Sequence, residues 1–336
     1  MSQKNWVDLM GRKFQHVRFA ELIPCRAAFI DTHNPGTEGK ENFTIIGGGV
    51  SENPDQHVHI DETPGFNIGG AGQPAGCTNS LHSHRTAEVF IIHTGSWRFF
   101  WGLEGDDGDV VLNPGDLISL PTHMFRGFEN VTPTSATNGN GYGFMFSVLG
   151  GDDSGDGVVW TPNVLEQARN NGLILIDSGQ LINTGNGEEI PDGSSPVTPV
   201  SGEELKFYSR NTISDASKIV VTRPNDSIYS EAELIGRGAN AAIRERTGFE
   251  VRRVRLGNGE DRLWPVPNTE TVLITNAGSV VLSNGKTLGS GDVALIQAGE
   301  EEIGIKPLSE DVSEVFIVTA TDDPAGETRF LDEDTP

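Results

Sequence analysis

Only two cysteines, Cys25 and Cys77, occur in 336 residues, too few for a disulfide framework and in keeping with a reducing cytoplasm. Basic residues are scarce as well: 24 Lys and Arg face 48 Asp and Glu, for a net charge of -24. That balance argues against a nucleic-acid partner, because phosphate neutralisation needs clustered cations. The acidity reads instead as a solubility device. No apolar run approaches the ~20 residues of a membrane span, so no membrane partner is expected. The first residues, "MSQKNWVDLMGRKF", lack the apolar stretch of a secretory signal. Helix signals are rare. Only "TPNVLEQARNNG" reads well as one, with Thr161 placed to cap it, Pro162 in its first turn and Gly172 past its end.

What the chain does have is 42 glycines, 18 prolines and a series of short apolar, β-branched runs between them. "FTIIGGGV", "EVFIIHTG", "SWRFFWG", "DLISLP" and "GYGFMFSVLG" read as strands bounded by tight turns. The expected class is all-β. Residues 1–42 read as an N-terminal arm, 43–150 as one β-barrel, 151–205 as a helix and linker, and 206–336 as a second barrel. The two halves resemble each other. "VFIIHTGSW" (Val89 to Trp97) lies over "VLITNAGSV" (Val272 to Val280), and "PGDLISLPTH" (Pro114 to His123) over "SGDVALIQAG" (Ser290 to Gly299). Matching hairpin signals at corresponding points suggest a duplicated unit.

One stretch carries chemistry: "GCTNSLHSHRTAEVFIIHTGSWRFFWG", Gly76 to Gly102. On strands, side chains alternate, so His82, His84 and Glu88 share parity and can point to one face. On a helix the trio would scatter. Two imidazoles and one carboxylate form a donor set suited to a divalent transition metal with open positions for substrate or oxygen. Phe90 and Ile92 continue that face. Trp97, Phe99 and Trp101 on the return strand give a second aromatic lining for the same pocket.

This stretch resembles the first sequence motif of the cupin superfamily at Gly76, His82, His84, Glu88 and Gly95. "GDLISLPTHMFRGFEN" resembles the second motif at Gly115, Asp116, Pro121 and Asn130, but places His123 where cupins usually carry glycine and Arg126 where they usually carry a fourth metal-binding histidine. The resemblance implies two double-stranded β-helix (jelly-roll) barrels, a bicupin, with a metal inside the first. It also makes a homodimer the expected assembly.

Arg126 cannot ligate, since a guanidinium stays protonated and only donates. Three explanations stand open. The site keeps three protein ligands and Arg126 binds an anionic substrate group; or a phase break at Pro121-Thr122 turns His123 inward as fourth ligand; or the metal is lost and Arg126 pairs with Glu88. In the second half Pro265, Pro267 and Thr271 stand where His82, His84 and Glu88 stand in the first, and Glu302 replaces the fourth histidine. One carboxylate does not make a transition-metal site, so this barrel reads as structural.

Other candidates have bland readings. His57 and His59 share strand parity but read as an edge-strand pair. His93 has parity opposite to Glu88 and faces away. Gln73 and Asn79 flank the motif and could orient water or substrate, and Cys77 reads as an inert thiol. "GGAGQPAG" lacks the Lys-Ser/Thr of a phosphate loop.

What the resemblance implies for function is a metal-dependent enzyme like the quercetinase-like or gentisate-dioxygenase-like cupins, taking a small phenolic, enol or hydroxy-acid substrate, anionic ones included. Ferrous iron is the favoured ion; Mn, Ni, Co and Zn accept the same donors. A redox-neutral isomerase or lyase and a non-catalytic metabolite-binding cupin are the alternatives.

Overall fold

The computed structural model describes residues 6–7, 13–135, 139–151, 157–224, 230–257, 263–299, 303–308, 311–321 and 330–331. Its strands form two barrels with the same topology. In the first, the large sheet runs Leu117–Leu120, Glu88–Thr94, Gly143–Gly150, Phe66–Gln73, Glu41–Ile46 and Val58–Ile60 in spatial order. In the second, the matching order is Val293–Ile296, Thr271–Ala277, Ser313–Ala320, Phe249–Leu256, Ser230–Gly236 and Ile243–Arg244. Even the one parallel pair recurs, Thr44 opposite Val58 in one barrel and Ile235 opposite Ile243 in the other. The repeat read from the hairpin strings is thus a repeat of whole sheets.

The smaller sheets follow the same rule. Val159–Trp160, Thr78–Ser83, Arg126–Asn130, Trp97–Trp101 and Gly108–Leu112 close the first barrel. Trp264–Val266, Ile303–Pro307, Val280–Leu282 and Thr287–Leu288 close the second. The hairpins at Gly95 and Gly278 both need positive φ, 82° and 66°. At Gly95 a Cβ would also come within 2.6 Å of the Thr132 hydroxyl.

The large sheets bury both faces, which is why their strands read as unbroken apolar runs. Phe90 and Ile92 point into the first barrel, while Val89 and Ile91 join a cluster that also holds Val272, Ile274 and Val318 of the second. Leu273 points the other way, into a second-barrel interior filled by Val266, Leu282, Ile303 and Ile305. Each such side chain removed from water contributes about 1.5–3 kcal/mol, so one shared core fastens the barrels.

A strand exchange reinforces it. Lys13–Val17, in the segment expected as an arm, pairs antiparallel with Val293–Ile296 of the second barrel. Val220–Val221 pairs with Leu117–Leu120 of the first. Each barrel's large sheet is therefore edged by a strand that precedes the other barrel in sequence.

The helix signal holds at Pro162–Asn170, which buries Val164 and Ala168, four residues apart on one face. Thr161 is its N-cap residue but makes no side-chain capping bond. A second helix, Gly202–Tyr208, spans the point where the sequence suggested that linker gives way to the second barrel. No helix among the described residues is long and apolar enough to cross a membrane.

Candidate metal centre

His82 sits near the end of Thr78–Ser83 in the small sheet, and Glu88 begins the next strand in the large sheet. His84 lies in the turn between them. The trio therefore converges from two facing sheets and the corner that joins them, rather than from one strand face. Their ligand atoms all lie within 4.8 Å of one another, and all three residues are buried. They share the wall of a cavity of about 60 Å³ with Asn79, Phe90, Phe128 and Trp160.

The hydrogen bonds around the rings decide whether this donor set fits a cation. The Ser80 carbonyl lies 2.7 Å from His82 Nδ1, and the Gly157 carbonyl 3.2 Å from His84 Nδ1. A carbonyl only accepts, so each Nδ1 carries the proton and each Nε2 presents its lone pair, the tautomer of a metal-binding imidazole. Burial holds both histidines well below their ordinary pKa, and the Arg126 charge pushes them the same way. Both rings are thus neutral and ready to ligate.

Arg126 is fully buried and spends its guanidinium on one oxygen of Glu88: Nη2 and Nε donate to Oε2 over 2.8 and 3.2 Å, and Nη1 donates to the Met124 carbonyl. The other oxygen, Oε1, lies 3.7 Å from His84 Nε2. The Arg126–Glu88 pair of the third explanation is formed, yet it leaves Oε1 beside His84 Nε2, within a cluster whose three ligand atoms lie within 4.8 Å of one another. The residues present accordingly fit a divalent ion held by His82 Nε2, His84 Nε2 and Glu88 Oε1, with Arg126 fixing the carboxylate's orientation.

His123 stays outside the cavity wall. The chain leaves strand geometry after Leu120, and His123 adopts φ 55°, so the strict alternation is broken as Pro121-Thr122 suggested. The side chain nevertheless turns toward the second helix, with Arg210 Nη2 3.1 Å from its Nδ1 and the Phe207 ring centroid at 4.5 Å. Its backbone N–H donates to the His84 carbonyl and pins the corner that carries the ligand.

The lining expected beyond the ligands needs correction. Phe90 lines the cavity, but Ile92, Trp97, Phe99 and Trp101 pack into the core behind it, and Phe29, Phe128 and Trp160 complete the aromatic wall. Sheet twist and the fill of a small barrel carry the return strand away from the mouth.

Of the remaining histidines, His59 uses both nitrogens on backbone groups of Thr44 and Ile23, and His93 faces the second barrel, bonded to the Asn276 carbonyl. Cys77 is buried, which pushes its thiol up to about 11 and makes it inert. Asn79 lines the cavity, but its amide nitrogen, 3.3 Å from His82 Nδ1, makes no hydrogen bond to a ring nitrogen that already donates to the Ser80 carbonyl.

Two residues the sequence did not mark out support that strand. Asp31 and Lys40 form an ion pair with 0% and 3% exposure. Asp31 accepts from the Ser80 N–H at 3.0 Å, and Lys40 donates to Asn79 Oδ1 at 3.2 Å. In the second barrel Pro265 and Thr271 occupy the strands equivalent to those of His82 and Glu88, and no second ligand cluster occurs among the described residues. Glu302 lies outside them.

No protein-family profile matches this chain, and no curated protein does. Solved structures do. The Escherichia coli pirin YhhW in complex with nickel(II) aligns over 91% of this chain and 99% of its own, with 10% identity and a TM-score of 0.52. The Lactobacillus farciminis oxalate decarboxylase in its formate complex aligns over 95% and 88%, with 13% identity and a TM-score of 0.52. A Bacillus subtilis oxalate decarboxylase variant aligns over 98% and 82%, with 11% identity and a TM-score of 0.51. Likeness at such identities is one of fold. The fold is that of a two-barrel cupin, as the motif at His82, His84 and Glu88 implied.

Proposed function

We propose that the protein is a metal-dependent cupin enzyme of the dioxygenase type, acting on a small phenolic, enol or hydroxy-acid substrate. The observation that carries the reading is the convergence of three buried donor atoms with both imidazoles held in the metal-binding tautomer. Three protein donors leave positions open, the arrangement of a site that binds more than its ion. Ferrous iron is the favoured occupant, and Mn, Ni, Co or Zn would accept the same donors. When bound, such an ion supplies Lewis acidity and a template for substrate and oxygen.

The chain's own residues do the rest. Ser80 and Gly157 fix the imidazole tautomers, Arg126 fixes Glu88, and Phe90, Phe128 and Trp160 exclude water from the cavity. Cys25 and Cys77 are unbonded, in keeping with a cytoplasmic location, and a homodimer is part of the same proposal.

Substrate-dependent oxygen uptake by ferrous-loaded protein tests the reaction type, with phenols and enols as the panel. Uptake that vanishes in His84→Ala supports a dioxygenase. Turnover of the panel without oxygen would assign an isomerase or lyase instead. The Arg126–Glu88 pair favours one further reading, a metabolite-binding cupin in which the guanidinium takes the cation's place; ligand binding by metal-free protein with no turnover would establish it.

A further inference from the structure

Next to the metal cavity lies a larger chamber of about 440 Å³, within the roughly 300–1,000 Å³ of ordinary small-molecule sites. The two share Val50, Val158 and Trp160 in their walls, so the chamber is the space immediately outside the ligands. Its lining joins an apolar wall, from Leu165, Leu175 and Ile176 among others, to polar side chains such as Ser51 and Thr198. Its charged lining residues are all acidic: Glu52, Asp177 and Glu204.

No Lys or Arg lines either space among the described residues. Arg126 is sealed behind Glu88, and Arg85 donates to the outer face of the chamber through the Tyr208 hydroxyl, over 2.7 and 3.0 Å. Glu52 accepts from Trp160 Nε1 and from the Ile30 N–H, each at 2.6 Å, and burial pushes its carboxyl up to about 8. The inner part of the chamber is therefore uncharged at neutral pH, while Asp177 and Glu204 lie exposed at its rim.

We propose that this chamber holds the body of an uncharged, largely hydrocarbon substrate, with its reacting end turned past Trp160 toward His82, His84 and Glu88, and that it selects against carboxylates. The inference rests on the metal-site reading for what the reacting end meets, and narrows it by removing hydroxy acids from the substrate class. A carboxylate lodged in the chamber, short of the metal site, would be desolvated with no Lys or Arg among the described lining residues to receive it, and would first pass an acidic rim on an acidic protein. An uncharged ring would replace water along the apolar wall at no such cost.

Two probes with one ring system isolate the charge: 2-naphthol and 2-naphthoate, titrated by fluorescence into the purified protein at neutral pH. We expect naphthol to bind more tightly by about tenfold or more. Val197→Trp, which fills the chamber from its wall, should weaken naphthol by at least about tenfold while metal content stays unchanged. Glu204→Lys, an exposed substitution on the second helix, should strengthen naphthoate and narrow the gap. Equal or tighter binding of naphthoate overturns the proposal, as does naphthol binding that Val197→Trp leaves intact in a folded variant. Metal content read on the same samples separates the two claims. Chamber-dependent naphthol binding by protein without metal upholds the chamber and removes the metal reading; stoichiometric metal with no preference between the probes does the reverse.

Discussion

Replacing Arg126 by Met removes a fully buried guanidinium and leaves Glu88 Oε2 without its two donors. Breaking a buried ion pair by deleting one partner costs about 3–5 kcal/mol, because the remaining charge is desolvated and uncompensated. Unfolding entropy of roughly 2 cal/mol/K per residue over 336 residues is about 0.7 kcal/mol/K, so the loss should lower Tm by about 4–7 °C. The assay is thermal denaturation in a chelator and again with excess divalent metal. In chelator the variant should show the whole drop. With metal the drop should shrink, because the cation supplies the positive charge that Glu88 then lacks. A variant that melts with wild type in chelator would refute the claim that Arg126 compensates Glu88. An equal drop with and without metal would refute the claim that both cations act on the same carboxylate.

Three further outcomes are expected. Glu245 is buried with only Ser119 Oγ, among the described residues, donating to it, at 2.6 Å, and burial raises its carboxyl from 4.5 to about 8. The folded state therefore binds the extra proton, so this group's stabilisation is complete below pH 4.5, falls by up to roughly 1.4 kcal/mol per pH unit as pH rises, and is gone above about 8; the gap between wild type and Glu245→Gln in urea melts from pH 5 to 8 should follow that slope, and a constant gap would contradict it. Phe14→Ala should cost about 3–5 kcal/mol by chemical denaturation despite its place near the N-terminus, because Phe14 fills the second barrel's core; a cost under about 1 kcal/mol would deny the strand exchange. Cys77 should resist a thiol reagent in native protein and react on unfolding; rapid native labelling would contradict its burial.

The ligand trio was legible as a set because its members are close in sequence, although they meet across the corner between two strands rather than on the one strand face expected. The barrels were legible for a similar reason, since Gly95 and Gly278 mark the same hairpin in two runs of the same apolar pattern. The pairing of Arg126 with Glu88 could be named as one of three outcomes, because the guanidinium's chemistry excluded ligation, but choosing among them required knowing which sheet each residue joins. The strand exchange was hidden, since "KFQHV" and the two-residue Val220–Val221 strand show little pattern and their partners lie far away in sequence. Asp31, Lys40 and Glu52 were unreadable too. They sit in or beside polar loops, where an acidic or basic residue normally signals exposure, and only tertiary packing buries or encloses them.

Metal stoichiometry by inductively coupled plasma mass spectrometry, on protein purified without chelator, tests the central claim most directly. The expected result is about one transition-metal ion per chain, lost in His82→Ala, His84→Ala and Glu88→Gln and kept in His123→Ala. Metal-free wild-type protein that also fails to take up Fe, Mn, Ni, Co or Zn on titration would contradict it, leaving Arg126 as the only cation Glu88 ever meets.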